Sequence, residues 1–107
     1  MADAATPGPV DPARLLALLG LALRAGKLQV GFSAVEQAVH RGKEPLVVLA
    51  SDMGPSQRNR ALRLEPVKGF VTGVVTGADL ATALGRNKLV IVGVSDPGFV
   101  AGIRKLG

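Results

Sequence analysis

The chain has 107 residues, a formal net charge of +5 from 13 basic against eight acidic side chains, one histidine and no cysteine. This length predicts about one domain, and an apolar content of 48% is enough for one modest core. Without cysteine there are no disulfides, thiolate metal ligands or cysteine nucleophile, and one histidine excludes a multi-histidine metal site. We therefore expect no metal and no cofactor. The positive charge favours a polyanion partner, although it is also normal for solubility.

The beginning of the chain predicts a disordered segment followed by a helix. Residues 1–10, MADAATPGPV, contain two prolines and small residues and are expected to be disordered. Asp11 suits an N-cap with Pro12 in the first turn, and the helix is predicted to run to about Arg24. Its apolar stretch, residues 15–23, has about half the length of a membrane span, and no basic cluster precedes it. We therefore expect a soluble cytoplasmic protein without a membrane partner.

The remaining chain predicts an alternation of strands and helices. Residues 27–30 predict a short strand that turns at Gly31 into a second helix, with Ser33 as its cap and Gly42 at its end. The apolar run LVVLA, residues 46–50, is typical of a strand buried on both faces. Later signals predict a helix after the turn at 52–55, a strand within 69–75, a helix over 77–84 with a Thr76–Asp79 capping box, a strand over 88–94 and a last helix from Asp96. This alternation predicts an α/β fold, with one sheet between helices on both faces and a single domain over residues 11–107.

Two motifs that suggest catalysis or nucleotide binding have simpler explanations. RAGKL, residues 24–28, lacks the spacing of a phosphate-binding loop, because five residues separate Gly20 from Gly26 and leucine follows the lysine. No acid–base pair stands out, so we expect no enzyme and keep a small α/β enzyme as an outside alternative. Capping explains the three aspartates at predicted helix starts, Asp52, Asp79 and Asp96.

The turn into the second helix is the better candidate for a binding site. Residues 31–33 are predicted to present unpaired backbone N–H groups at a helix N-terminus, which attract anions without any side chain. Arg24 and Lys27 precede this turn, and a short strand is expected to leave them beside it, although a solvated edge explains them equally well. The arginines at 58, 60 and 63 are interpreted as a solvated helix surface. With only three aromatic residues, single-strand binding by base stacking is disfavoured.

Several short motifs occur in the order and spacing of one known family. They are AGKL at 25–28, VGF at 30–32, RGK at 41–43, LVVLASD at 46–52 and VVTGADLATALGRNKLVIVGVSDPGF at 74–99. Over residues 15–106 the sequence resembles the kink-turn-binding ribosomal-protein family of L7Ae and L30e, especially its small bacterial members. The resemblance implies a three-layer α/β/α sandwich with a mixed four-stranded sheet. It also implies binding of sharply bent RNA through the turn into the second helix and through a later loop.

The resemblance also assigns roles to individual residues. The family's strongest binders carry Asn, Glu and Lys where this chain has Ser33, Ala34 and Gln37. Ser33 can still donate a hydrogen bond, whereas Ala34 cannot accept one from guanine and Gln37 brings no charge. The full set of expected RNA-binding residues is Arg24, Lys27, Gly31, Phe32, Ser33, Ala34, Gln37, Arg86, Asn87 and Lys88.

The sequence thus predicts an RNA-binding, ribosomal-protein-like domain that is associated with the ribosome and binds kink-turn or other structured RNA. No preference for DNA is expected. The alternative is a protein-interaction module on the same fold that has lost RNA specificity. Whether the chain is an integral ribosomal component or an accessory factor stays open at this point.

Overall fold

The computed structural model describes residues 10–106. The expected disordered start lies outside these residues, except for Val10, which is half-buried and packs against the core. The helices are α1 (Pro12–Arg24), α2 (Phe32–His40), α3 (Pro55–Leu62), α4 (Gly77–Leu84) and α5 (Pro97–Arg104). The strands are β1 (Leu28–Val30), β2 (Leu46–Leu49), β3 (Gly69–Val71) and β4 (Ile91–Val94). The predicted alternation of helix and strand is therefore confirmed.

The sheet is mixed and has the strand order β1-β4-β2-β3. β4 pairs antiparallel with both of its neighbours, whereas β2 and β3 are parallel. Leu28 faces Val94 and Val30 faces Val92, so β1 begins where β4 ends. The mixed four-stranded sheet is confirmed, with β1 and β3 as its edges.

Two hydrophobic clusters lie on opposite faces of this sheet. The first joins α1, α4 and α5 to the side chains of Leu46 and Val48. The second joins α2 and α3 to Val47 and Leu49, the alternate residues of the same strand. Because neighbouring side chains of a strand point to opposite faces, the helices form two layers with the sheet between them. The three-layer α/β/α sandwich is confirmed, and β2 and β4 are buried along their whole length as expected.

The helix starts divide into capped and uncapped ones. Asp11 and Asp96 each accept a hydrogen bond from a first-turn amide, and the predicted capping box of α4 is present. The prediction that Ser33 caps α2 is wrong. The N-cap is Gly31, two residues earlier, and the helix begins at Phe32, because Gly31 itself makes the turn with φ 88° and ψ 167°. Neither α2 nor α3 has a side-chain hydrogen bond at its N-cap.

Three helices end in a left-handed glycine followed by a basic residue. The glycines, with φ of 72°, 83° and 69°, are Gly26, Gly42 and Gly85. The next amide donates to a helix carbonyl in the pairs Lys27 to Ala22 (2.8 Å), Lys43 to Ala38 (3.0 Å) and Arg86 to Ala81 (2.8 Å). These are Schellman closures, in which glycine adopts positive φ without strain and the cation suits the negative end of the helix dipole. Each closure fixes the point from which a basic side chain leaves the fold.

The strand predicted over residues 88–94 is too long. β4 covers Ile91–Val94, and residues 88–90 form a loop in which Leu89 is buried. A buried loop residue carries the same apolar signal as a strand residue, and this explains the error. Within residues 10–106, no helix has both the length and the apolar character that a membrane span needs.

We predict that Gly93→Ala destabilises the protein by about 1–3 kcal/mol, as expected for overpacking of a well-filled core. A Cβ at this position would lie 3.0 Å from Gln29 Oε1 and 3.3 Å from both Pro45 Cβ and Val35 Cγ2. The free energy of unfolding, measured by urea titration, checks this. Gly102→Ala is the control, because its Cβ would lie 3.6 Å from Leu18 Cδ1, an ordinary contact. In the middle of α5 it should be neutral or stabilise by about 0.5–1 kcal/mol, and equal losses in both variants would contradict the argument.

Candidate nucleic-acid interface

The antiparallel pairing of β1 with β4 gives the sheet two ends with different candidate residues. At one end, here called the Gly31 end, β1 passes into α2, and the Gly31 amide donates to the Ile91 carbonyl at 3.0 Å. At the other, the Lys27 end, β1 begins beside the last residue of β4. Lys27 and Gly31 are four residues apart in extended chain, which corresponds to a distance of roughly 13 Å.

The start of α2 has first-turn backbone amides that no side chain caps. The Gly31 N–H was expected to be unpaired, but it is bonded to Ile91, so the amides concerned are those of the next three residues. Phe32, Ser33 and Ala34 occupy the first turn of α2, where amides have no intrahelical acceptor, and no side chain caps them. Their N–H dipoles and the positive end of the helix make this turn a suitable site for an anion.

A groove adjoins this helix start. Its cavity of about 320 Å³ is lined by Gly31 and Phe32 on one side, by Lys88 to Ile91 on the other, and by Gln57 of α3. A second cavity of about 450 Å³ shares Gln57 and Lys88 and extends to Asn87, Gly54 and Gly77. The groove therefore lies between the uncapped starts of α2 and α3 and the loop before β4.

The expected loop residues lie partly in the groove. Arg86, Asn87 and Lys88 are all exposed. Asn87 and Lys88 line the groove, and the Lys88 ammonium is its cation, while Arg86 lines neither cavity and is held at the end of α4 by its amide. The topology brings this loop beside Gly31 because β4 starts where β1 ends.

The residues at the family's base-contacting positions do not line the two groove cavities. Ser33 and Gln37 are exposed on α2 and Ala34 is half-buried. Ala34 and Gln37 line a different, smaller cavity of about 190 Å³ beside β1, together with Arg41 and Lys43.

Phe32 is held by an arginine from the neighbouring helix. The Arg60 guanidinium lies 4.4 Å from the centroid of the Phe32 ring. It also donates from Nη2 to both Glu36 oxygens, at 2.9 and 3.0 Å, and from Nε at 3.2 Å. Arg58, Arg60 and Arg63 are all exposed, as the interpretation of α3 as a solvated arginine surface predicts, but Arg60 also pairs with Glu36 of α2, which that interpretation did not include.

Arg24 and Lys27 do not lie beside Gly31, contrary to expectation. Lys27 immediately precedes β1 and Arg24 ends α1, so both lie at the opposite end of the sheet. The physical reason is that even a strand of three residues runs straight from one end of the sheet to the other. The structure brings Gly31, Phe32, Asn87 and Lys88 together and excludes the two earlier cations from this group.

Sequence reasoning missed the α3 contribution to the groove. Gln57 lies in the first turn of α3 and lines both cavities. The sequence signal for this contribution was Gly54 followed by Pro55. This pair indicates a helix start whose N-cap has no side chain to bond the first-turn amides.

The two walls of the groove meet at one peptide group. Asp52 Oδ1 accepts a hydrogen bond from the Gly77 amide at 2.9 Å. A Cβ on Gly77 would lie only 3.0 Å from the Leu89 carbonyl oxygen, so the absence of a side chain lets the loop pack directly on α4. Within residues 10–106, no group of three or more acidic or histidine side chains is arranged to hold a metal ion.

Comparison with known proteins identifies the family. The model of the ribosomal protein L7Ae/L30e/S12e/Gadd45 family matches residues 13–100. The chain belongs to this family. Its description names ribosomal proteins and no enzyme, so family membership agrees with the expectation of no catalytic activity.

One curated relative and two solved structures are similar to this chain. The large ribosomal subunit protein eL30 of Dictyostelium discoideum is 28% identical over 83 residues, which are 75% of this chain and 74% of the relative. A Bacillus halodurans protein described as having unknown function is 34% identical, with a TM-score of 0.77 over 88% of this chain and 96% of that chain. The Giardia lamblia 15.5kD RNA binding protein shares the fold, with 18% identity and a TM-score of 0.67 over 88% of this chain and 82% of its own.

We predict a coupling free energy of about 0.5–1 kcal/mol between Arg60 and Glu36, because the pair is bidentate yet partly exposed. Side-chain exposures of 57% and 32% leave solvent screening that keeps the value low. A double-mutant cycle with Arg60→Ala and Glu36→Ala, followed by urea unfolding, measures it. Arg58→Ala on the same helix is the matched control and should change stability by less than about 0.5 kcal/mol. A coupling free energy of zero would mean that the pair does not hold α3 against α2.

Proposed function

We propose that this protein is an RNA-binding, ribosomal-protein-like protein of the cytoplasm, with one domain over residues 11–107. Its Gly31 end is the interface with a sharply bent, structured RNA, and it works in association with the ribosome. The observation that carries the proposal is the uncapped first turn of α2 next to the Lys88 groove. Family membership supports RNA as the polyanion, since the family is described by ribosomal proteins and one relative is a large ribosomal subunit protein.

The proposed contacts are mainly to the RNA backbone. The amides of Phe32, Ser33 and Ala34 suit a phosphate, and Lys88 and Arg86 supply charge from the facing loop. Asn87 can donate to and accept from RNA groups, and the Ser33 hydroxyl can do the same. Phe32 offers less than a free aromatic ring, because Arg60 covers one of its faces.

Kink-turn RNA is the proposed ligand class, with weaker base reading than in the family's strongest binders. Ala34 has no acceptor for a guanine amino group, and Gln37 is uncharged. Phosphate contacts position a nucleic acid without reading its sequence, so discrimination from a plain duplex should be modest. A protein-interaction module on the same fold is the competing function, and it predicts no preference for bent RNA at all.

We predict that Gly31→Val weakens binding of a kink-turn RNA at least tenfold, which corresponds to about 1.4 kcal/mol. With φ 88° and ψ 167° the residue occupies backbone space that is essentially restricted to glycine, and a valine must move the turn that presents the α2 amides. The expected loss of folding stability is about 1–3 kcal/mol. Gel-shift titration, with thermal melting to verify folding, checks both effects.

The control for this variant is Gly73→Val. Gly73 has φ 73°, and, as at Gly31, a Cβ would meet nothing within 4 Å. It lines none of the groove cavities described above. A similar loss of stability without a loss of RNA affinity is expected. Parent-like RNA binding by Gly31→Val would show that the interface is misplaced.

We predict that the triple variant Ser33→Asn, Ala34→Glu, Gln37→Lys gains at least tenfold in affinity for kink-turn RNA. These residues lie in the first turns of α2, and each good hydrogen-bonded base contact contributes roughly 1–3 kcal/mol of discrimination. The gain for a matched plain duplex should be much smaller, because only phosphate contacts are available there. Titration of both RNAs at one salt concentration measures the difference.

Gln37→Lys alone is the charge-matched control for the triple variant. It should strengthen binding of both RNAs by similar factors, since it adds a cation and no base contact. Equal gains of the triple variant on both RNAs would attribute the effect to charge. No gain on either would mean that the start of α2 does not face RNA, and the protein-interaction function would then be favoured.

A further inference from the structure

A cleft at the Lys27 end of the sheet collects lysines from three separate loops. Its cavity of about 330 Å³ is lined by Lys27, Lys43 and Lys68, with Gln29 and Ser95 between them. Lys27 precedes β1, Lys43 precedes β2 and Lys68 precedes β3, while Ser95 follows β4. Segments next to all four strands therefore line this site, here called the lysine cleft.

The backbones that carry these lysines are fixed. The Lys27 and Lys43 amides complete the Schellman closures of α1 and α2. The Lys68 amide donates to the Pro45 carbonyl at 2.9 Å, and its own carbonyl accepts from Arg104 Nη2 at 3.1 Å. Within residues 10–106, none of the three ammonium groups lies within 4.0 Å of a carboxylate oxygen. The three lysines therefore extend from hydrogen-bonded backbone, and their ammonium groups are available to an external anion.

Two carboxylates also line the lysine cleft, and they only partly offset its positive charge. Asp96 is the N-cap of α5, and its Oδ2 accepts from the Phe99 amide at 3.1 Å. Glu44 is exposed and has no hydrogen-bonded partner in the described part of the chain. Together with Arg41 in the neighbouring cavity, four cations oppose these two carboxylates. The balance stays positive, which favours a phosphate over a cationic or neutral ligand.

A continuous path connects the lysine cleft with the start of α2. The small cavity lined by Ala34, Gln37 and Arg41 shares Gln29 and Lys43 with the cleft. Both cavities follow β1, which is an edge strand of the sheet. The path is roughly 13 Å long, the rise of four residues of extended chain.

We propose that the lysine cleft is a second phosphate-binding site, which takes the RNA backbone where it continues from the α2 start along the β1 edge. Lysine ammonium groups act as point charges on flexible stems, so the cleft adds affinity without reading sequence. The inference rests on the proposed RNA-binding function, because that function identifies the polyanion. It assigns Lys27 to this cleft and leaves the Gly31 end with Lys88 as its cation.

The test compares two RNAs that contain the same bent segment and differ only in stem length. The triple variant Lys27→Gln, Lys43→Gln, Lys68→Gln should bind the long-stem RNA at least tenfold more weakly than the parent. Its slope of log affinity against log salt should fall by about 1.4–2.7, as expected when two or three phosphate contacts are lost. Binding of the short-stem RNA, which does not reach the cleft, should change by less than about twofold, a free-energy change of about 0.4 kcal/mol.

A charge-matched control separates the cleft from net charge. Arg14→Gln, Arg63→Gln, Lys105→Gln removes three exposed cations that line neither the cleft nor the groove. Equal losses in both triple variants, or no loss in either, would overturn the lysine cleft while leaving the proposed function standing. Failure of the parent protein to bind either RNA would overturn both. Circular dichroism of each variant verifies that the fold is intact.

Discussion

β4 is hydrogen-bonded along both edges and buried on both faces, and its direction determines where every candidate side chain lies. Because it runs antiparallel to β1, the loop that precedes it is beside Gly31 and the residues that follow it are beside Lys27. The same strand therefore brings Lys88 to the uncapped helix start and takes Lys27 away from it. A register shift of one residue would invert its buried side chains between the two clusters, so this arrangement is strongly specified.

The polar groups that reach the surface differ between the starts and the ends of the helices. Where a helix starts with an acidic or hydroxyl N-cap, as at Asp11, Thr76 and Asp96, the side chain satisfies a first-turn amide. α2 and α3 start without such a side chain, and both starts border the groove. At the C-termini of α1, α2 and α4, each Schellman closure fixes the backbone of a basic residue. Amides and basic side chains thus reach the surface at positions that the backbone determines.

The layer order, the capping box and the buried strands could be predicted because each depends on local pattern: turn residues, caps and apolar runs. The grouping of the site residues could not, since it depends on strand direction. Lys27 and Gly31 are close in sequence and at opposite ends of β1, whereas Gly31 and Lys88 are far apart in sequence and line one groove. The pairing of Arg60 was missed because its partner Glu36 is on another helix, and helix packing cannot be read from local pattern. Pattern also failed where a buried loop residue, Leu89, has the composition of a strand.

The peptide of Gly77 joins two segments that are distant in sequence. Asp52 is bonded to its amide, and the Leu89 carbonyl packs where a side chain would otherwise stand. The turn before α3 is therefore hydrogen-bonded to Gly77, and the loop before β4 packs closely against the same residue. The groove between these two segments is therefore preformed, and little conformational entropy is lost when a ligand binds there. Under the proposed function, different RNAs are then accommodated by the long side chains around the groove and by the flexibility of the RNA itself.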